Sequence, residues 1–254
     1  MSASDTSSSD PPQPPTEPGS DRRRRVLHAA RETILHFGYD KAGLRDIAAR
    51  AGLSKTAIYL DFASKQALVD ELIRSESIAF ATELFAAADG AAARAAARAE
   101  AGDGEAPDDS AAGFGPLFAH TIALLQHHPF LRSLLAGDEG LLGDYVRRHR
   151  TRYLAARSAL NRSLLELLRR QGRIRADVDL DAAAPLLMML TIGYVETPTE
   201  VAGDRTGAVL EEMGRLLDAW LLGDEAPAFA PGELPAVLRE VLAQAAARDP
   251  KVDP

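Results

Sequence analysis

From Arg22 onward, apolar or small side chains recur at helical spacing (Val26, Ala29, Ala30, Thr33, Ile34, Phe37) until Gly38, which predicts a first helix with a glycine stop. Two short segments follow, Leu44 to Ala51 and Ser54 to about Leu60. They flank the stretch Ala51-Gly52-Leu53-Ser54. Helices of this length across a glycine-containing turn predict a helix-turn-helix. Ser64 stands where it can cap a longer helix whose apolar positions Leu68, Leu72, Phe80 and Leu84 run to about Ala88. Residues 89–113 mix Ala and Arg with Gly, Asp and Pro, and the expectation there is a mobile insert. Beyond it the pattern predicts a helix near Pro116–Gln126, a short one after Pro129, and a long one from Asp144 to Gln171 ended by Gly172. A further helix starts at Asp179 or Asp181 and runs to Glu196, stopped by Pro198. If Asp179 is its cap, Pro185 falls in the interior and should kink it. A helix from Thr206 to Leu222, ended by Gly223, and a peripheral one from Glu233 to Ala247 complete the chain.

Composition sharpens this into an all-α expectation. The 254 residues include 34 Leu against 10 Val and 8 Ile, a bias toward unbranched side chains that favours helices over sheets. The absence of cysteine excludes disulfide scaffolds and cysteine-ligated zinc. The longest nearly unbroken apolar run, Ala182 to Val195, has 14 residues and contains Pro185 and Gly193. A bilayer span needs about 18 or more, so no membrane helix is expected. Residues 1–21, with three acids before position 21 and the run PPQPP, read as a disordered tail rather than a secretory signal, and a cytoplasmic location follows.

The net charge of −8 is unevenly spread. Residues 21–70 carry ten Lys and Arg against six Asp and Glu, whereas the rest of the chain is acidic. A short basic module on an acidic body is the footprint of a protein that meets phosphate with one end. Within that module, Ile47, Ala48, Leu53, Ile58 and Phe62 supply a small core, and Gly52 suits a turn that needs positive φ. Ser54 is the expected cap of the second short helix. Lys55, Thr56, Ala57, Tyr59 and Leu60 are then left outward on a helix thin enough for the major groove.

These residues carry a family resemblance. The first helix ending FGYD, then RDIAARAGLSKTAIY, then FASKQAL, over about Arg22 to Glu71, resembles the TetR family of transcriptional regulators. The resemblance implies a three-helix DNA-binding domain over 22–70, a homodimer on a palindromic operator, and a helical ligand-binding and dimerisation domain over 71–225. Residues 226–254 are left as a peripheral C-terminal helix and tail. Carried over by position, Thr56 and Ala57 meet base edges. Lys55 and Tyr59, Arg45 before the turn, and Lys65 at the start of the next helix approach phosphates, with Ser54 and Leu60 on the same surface. Arg22 to Arg25 read either as an arm reaching phosphate or the minor groove, or as a solvated charge run.

Two stretches depart from the family's pattern. Ala42-Gly43 stands where a hydroxyl pair is usual, with the expected loss of a phosphate contact. Leu60-Asp61 closes the recognition helix where aromatic or basic residues are frequent. A carboxylate beside phosphates repels them unless it pairs with a cytosine amino group or a neighbouring base such as Lys65.

In the body, the resemblance implies a pocket for a small, mainly hydrophobic effector. Phe118, His120, Leu125, Phe130, Tyr153, Met188 and Thr191 are its candidate lining. Helices 181–196 and 206–222 would pair with their dimer mates. The eight arginines between Asp144 and Gln171 are expected to pair with acids of neighbouring elements. The alternative to an effector-controlled repressor is a DNA-binding or architectural protein without an inducer. An enzyme is not expected. The six histidines form no H-E-x-x-H, no nucleophile elbow or phosphate-binding glycine loop occurs, and neither metal nor cofactor is called for.

Overall fold

The computed structural model describes residues 18–100, 113–196, 203–222, 229–230 and 232–248. It is all-helical among these residues, apart from one isolated bridge between Ile174 and Leu222. In chain order the helices are α1 (Pro18–Phe37), α2 (Leu44–Arg50), α3 (Lys55–Asp61), α4 (Lys65–Glu100), α5 (Phe114–Leu125), α6 (Pro129–Ala136), α7 (Glu139–Arg170), α8 (Leu180–Glu196), α9 (Thr206–Leu221) and α10 (Glu233–Arg248).

Three apolar clusters organise them. The first four helices enclose a small core of Val26, Ala29, Ala30, Ile47, Ala48, Ile58, Phe62 and Leu68. A second cluster joins this head to the body, with Ile34, Ala42, Val69, Leu72 and Ile73 packed among Phe130, Leu134, Leu142 and Tyr145. The third lies at the far end, where Leu165, Leu168, Leu187 and Leu221 meet Leu234, Val237 and Val241.

Several boundaries differ from the sequence reading. The first helix begins at Pro18, four residues before Arg22, so the end of the expected 1–21 tail is helical. Pro in a first turn lacks only an amide that has no helical acceptor there, which is why the residue does not delay the start. The expected 89–113 insert is also corrected at its front. α4 continues as one helix to Glu100, because the alanine-rich run past Gly90 has a high intrinsic preference for helix. Positions 101–112 lie outside the described residues, as do Pro198 and Gly223. α10 is not peripheral, since Leu234, Val237 and Val241 are buried against the body. Asp179 is the cap of α8, its Oδ1 accepting the Asp181 amide at 2.9 Å, which leaves Pro185 inside the helix.

Where α5 crosses α9, Gly115 and Gly214 let the two backbones touch: a Cβ on Gly115 would stand 2.1 Å from the Gly214 carbonyl oxygen. Asp218 on α9 accepts the Gly115 amide at 2.7 Å, capping α5 from outside its own helix. Along α7 the arginines pair only in part with neighbouring elements: Arg162 meets Asp181 and Arg150 meets Glu196 at 3.6 Å, both on α8, whereas Arg147 with Glu139 and Asp144, and Arg162 with Glu166, pair within α7 itself.

Candidate nucleic-acid interface

The interface is built on a turn that only its backbone makes possible. α2 ends as Ala51 and Gly52 return their amides to Ile47 and Ala49, and Gly52 takes φ 67° with open space about its Cα. The left-handed backbone, not crowding, therefore calls for glycine at this position. Ser54 follows in extended conformation, and its Oγ accepts the Ala57 amide at 3.1 Å, which starts α3.

On α3 the only buried side chain is Ile58, wholly enclosed in the head core. That one anchor turns the other positions outward. Lys55 and Thr56 are exposed, Ala57 is half-buried, and Tyr59 and Leu60 are 47% and 72% exposed. The Lys55 ammonium lies 5.8 Å from the centre of the Tyr59 ring, so the cation is kept along the same outward face. Arg45, on the first turn of α2, is exposed as well. Seven of the eight residues assigned to DNA, Arg45, Ser54, Lys55, Thr56, Ala57, Tyr59 and Leu60, thus sit on α2, α3 or the cap between them, with at least partial exposure.

Lys65 is placed differently. It is half-buried, its Nζ donates to the Tyr39 carbonyl, and it stands 4.1 Å from the centre of the Tyr39 ring. Burial lowers its pKa from the ordinary lysine value, against a weaker pull upward from Asp40.

Asp61 does not pair with Lys65. Arg22 reaches it from α1 through two bonds, Nε and Nη2 each 2.7 Å from a carboxylate oxygen. That guanidinium holds the Asp61 carboxyl below its usual range. Arg23 spreads over the Phe62 ring at 4.8 Å and pairs with Glu71 at 3.1 Å. Arg22 and Arg23 are therefore inward struts between α1, the end of α3 and α4, which corrects their reading as a free arm. The reason was invisible locally, because the Arg22–Asp61 pair spans 39 positions of sequence. Ala42 is also corrected: it is fully buried against the body, where a hydroxyl would meet no phosphate. Gly43 begins α2 with no side-chain cap.

Among the candidate effector contacts, Leu125, Phe130 and Met188 are buried in one cluster with Tyr153 packed against it. Burial raises the Tyr153 hydroxyl's pKa. Phe118 belongs instead to the far cluster, and the Thr191 hydroxyl is spent on the Leu187 carbonyl at 2.9 Å. His120 is exposed, so the seven do not line one cluster; helix α5 turns His120 away from the face that carries Leu125. Gln126 is a further polar group that the sequence offers for orienting a ligand. Its Nε2 is buried and has no hydrogen-bond partner among the described residues.

Residues 26–72, from α1 into the first turns of α4, match the sequence pattern of bacterial regulatory proteins of the tetR family. An HTH-type transcriptional repressor of Mycobacterium tuberculosis is 39% identical over 56 residues, 22% of this chain and 30% of that protein. The HTH-type transcriptional activator FasR of Mycolicibacterium smegmatis is 46% identical over 48 residues, 19% of this chain and 22% of its own. The matched segments thus span less than a third of either relative. A solved TetR-family transcriptional regulator of Mesorhizobium loti aligns over 90% of this chain and 98% of its own, at 19% identity and a TM-score of 0.48. The likeness to bacterial regulatory proteins of the tetR family therefore lies in the N-terminal helix-turn-helix module, residues 26–72.

Proposed function

We propose that the protein is an effector-controlled repressor that binds a palindromic DNA operator as a homodimer. The carrying observation is α3: one buried anchor, Ile58, and an outward face of Lys55, Thr56, Ala57, Tyr59 and Leu60 on a helix of seven residues. Phosphates take Arg45 and Lys55, and base edges take Thr56 and Ala57. The body supports a homodimer, because α8 and α9 leave Met189 67% and Leu216 62% exposed, with Leu186 and Val209 beside them on the same two helices. Two-fold pairing of those helices covers this apolar surface and sets two copies of α3 at one fixed spacing.

A small, mainly hydrophobic effector is assigned to the part of the body where Leu125, Phe130, Met188 and Tyr153 cluster. Gln126, the next residue after Leu125, has a buried Nε2 without a partner among the described residues, a donor that such an effector could use. Effector control operates by preferential binding to the form whose recognition helices are wrongly spaced for successive major grooves.

Selection of duplexes from a random pool tests the reading directly. Inverted half-sites about one helical turn apart are expected. Thr56→Ala is expected to weaken the selected duplex about tenfold while leaving non-specific binding unchanged, and Lys55→Ala to weaken every duplex alike. Recovery of unordered sequence with no half-site would overturn the operator reading, and single half-sites would overturn the dimer.

A further inference from the structure

We propose that the turn between α1 and α2 is the joint by which the head registers the position of the body, with Tyr39 and Asp40 as its positioning residues. The proposal rests on the DNA-binding reading above and concerns how that site is controlled.

The joint begins with an interruption in α7. Gly143 adopts φ 49° and ψ −132°, so the helix that opens at Glu139 breaks there and restarts at Asp144. A restarted helix presents amides that lack acceptors in its own preceding turn. Asp40 supplies one from the head: its Oδ1 accepts the Asp144 amide at 3.4 Å across 104 positions of sequence. A Cβ on Gly143 would lie 2.1 Å from the other Asp40 oxygen, so glycine is required both for the backbone angle and for this approach. On the near side of the break, the Tyr39 amide donates to the Leu141 carbonyl at 2.7 Å. The two adjacent residues of the turn thus grip α7 before and after its interruption.

The same turn holds the start of α4. Tyr39 accepts the Lys65 ammonium on its carbonyl and lies under it with its ring. Tyr145, the second residue after the break, packs its ring 5.7 Å from that of Tyr39 and donates its hydroxyl to Asp70 at 2.8 Å. Burial and Asp70 both raise the Tyr145 pKa, so the hydroxyl remains a donor throughout the neutral range. Lys65 and Asp70 are both in the first two turns of α4, and Gly43 opens α2 three residues after Asp40. Hydrogen bonds and ring contacts therefore connect α7 with the start of α4, and the same turn runs on into α2 at Gly43.

Lys65 gives this network its sensitivity to DNA. A phosphate arriving at the start of α4 competes with the Tyr39 carbonyl for the same ammonium. The grip of the turn on α7 then changes with occupancy. By linkage, any displacement of α7 at Gly143 changes the affinity for the duplex by the same factor.

Hydrogen exchange on the full chain, with and without the duplex it selects, tests the joint. Slowed exchange in residues 54–60 reports DNA at the recognition helix. The proposal expects a further change of about fivefold or more at the amides of residues 139–146. Asp40→Ala is expected to abolish that distant response and Asp40→Asn to keep it, since asparagine retains an acceptor oxygen. Both variants remove the charge, so a difference between them reports the cap rather than repulsion of phosphate. Protection confined to 54–60 in the wild-type protein overturns the joint while leaving DNA binding intact, as do equal responses in the two variants. No protection anywhere removes the DNA-binding reading and the joint with it.

Discussion

The head and the far end of the body use opposite means to hold a helix in place. In the head, α3 contributes a single buried side chain, and its end is fixed by a two-bond ion pair from Arg22 to Asp61. Arg23 with Glu71 and Arg31 with Glu76 repeat the device between α1 and α4. At the far end, α9 is fixed by shape. Gly115 and Gly214 bring two backbones together, and Leu217 and Leu221 are buried beside them. The difference follows from what each helix must leave free. A recognition helix that spends nearly its whole surface outward has little apolar area to give to a core, so its orientation depends on charged struts at its end. An α9 with one face in the body can be held mainly by close packing, to which Asp218 adds one bond from the Gly115 amide.

This contrast can be broken most strongly at Ile58. Ile58→Ala removes the one buried anchor of α3, and a truncation of this type costs about 2–5 kcal/mol. Rapid amide exchange over residues 44–61 and loss of duplex binding are expected, with exchange at Leu165 and Leu168 unchanged. Parallel loosening of both regions would show that head and body unfold as one unit.

At the far end, Gly115→Ala places a methyl group into the Gly214 carbonyl and is expected to cost about 1–3 kcal/mol, read as a lower urea midpoint. Trp220 is the only tryptophan and lies on α9, so its fluorescence reports this transition from the body itself. An unchanged midpoint would mean that α5 and α9 separate without loss, and that the glycine crossing does not hold them.

The smallest effect concerns the strut. Arg22 lowers the Asp61 pKa, so the pair's contribution to stability is fully present above the ordinary carboxylate value of about 3.9. It is lost as pH falls through the lower folded-state value. Exchange over residues 55–61 is expected to speed up in acid before exchange in α9 does. Arg22→Met is expected to give the faster exchange already at neutral pH and to flatten that dependence. An acid profile identical in the variant and the wild type would remove the strut from the account.

Much of this arrangement was legible from local pattern. The recognition helix, its Ser54 cap and its outward residues follow from a spacing that leaves only Ile58 to face inward, and seven neighbouring positions suffice to see it. The glycine stops at 38 and 172 were legible for the same reason, since positive φ is a property of one residue. The candidate effector contacts were less so. Leu125, Phe130 and Met188 do share a cluster, but helical spacing alone could not say that His120 turns outward or that Phe118 belongs to another core. The extension of α4 to Glu100 carries no apolar stripe, because alanine is helical by intrinsic preference without one.

What the sequence determined by itself was everything set within a few residues: the helices, their caps and stops, and the composition of the recognition surface. Tertiary structure alone decided that Asp61 belongs to Arg22, that Lys65 rests on Tyr39, and that Asp40 caps a helix in the body. Helix geometry is imposed by neighbours along the chain, whereas an ion pair or a cap supplied from a distance depends on where whole helices come to rest. No periodicity along the chain encodes a partner 39 or 104 positions away.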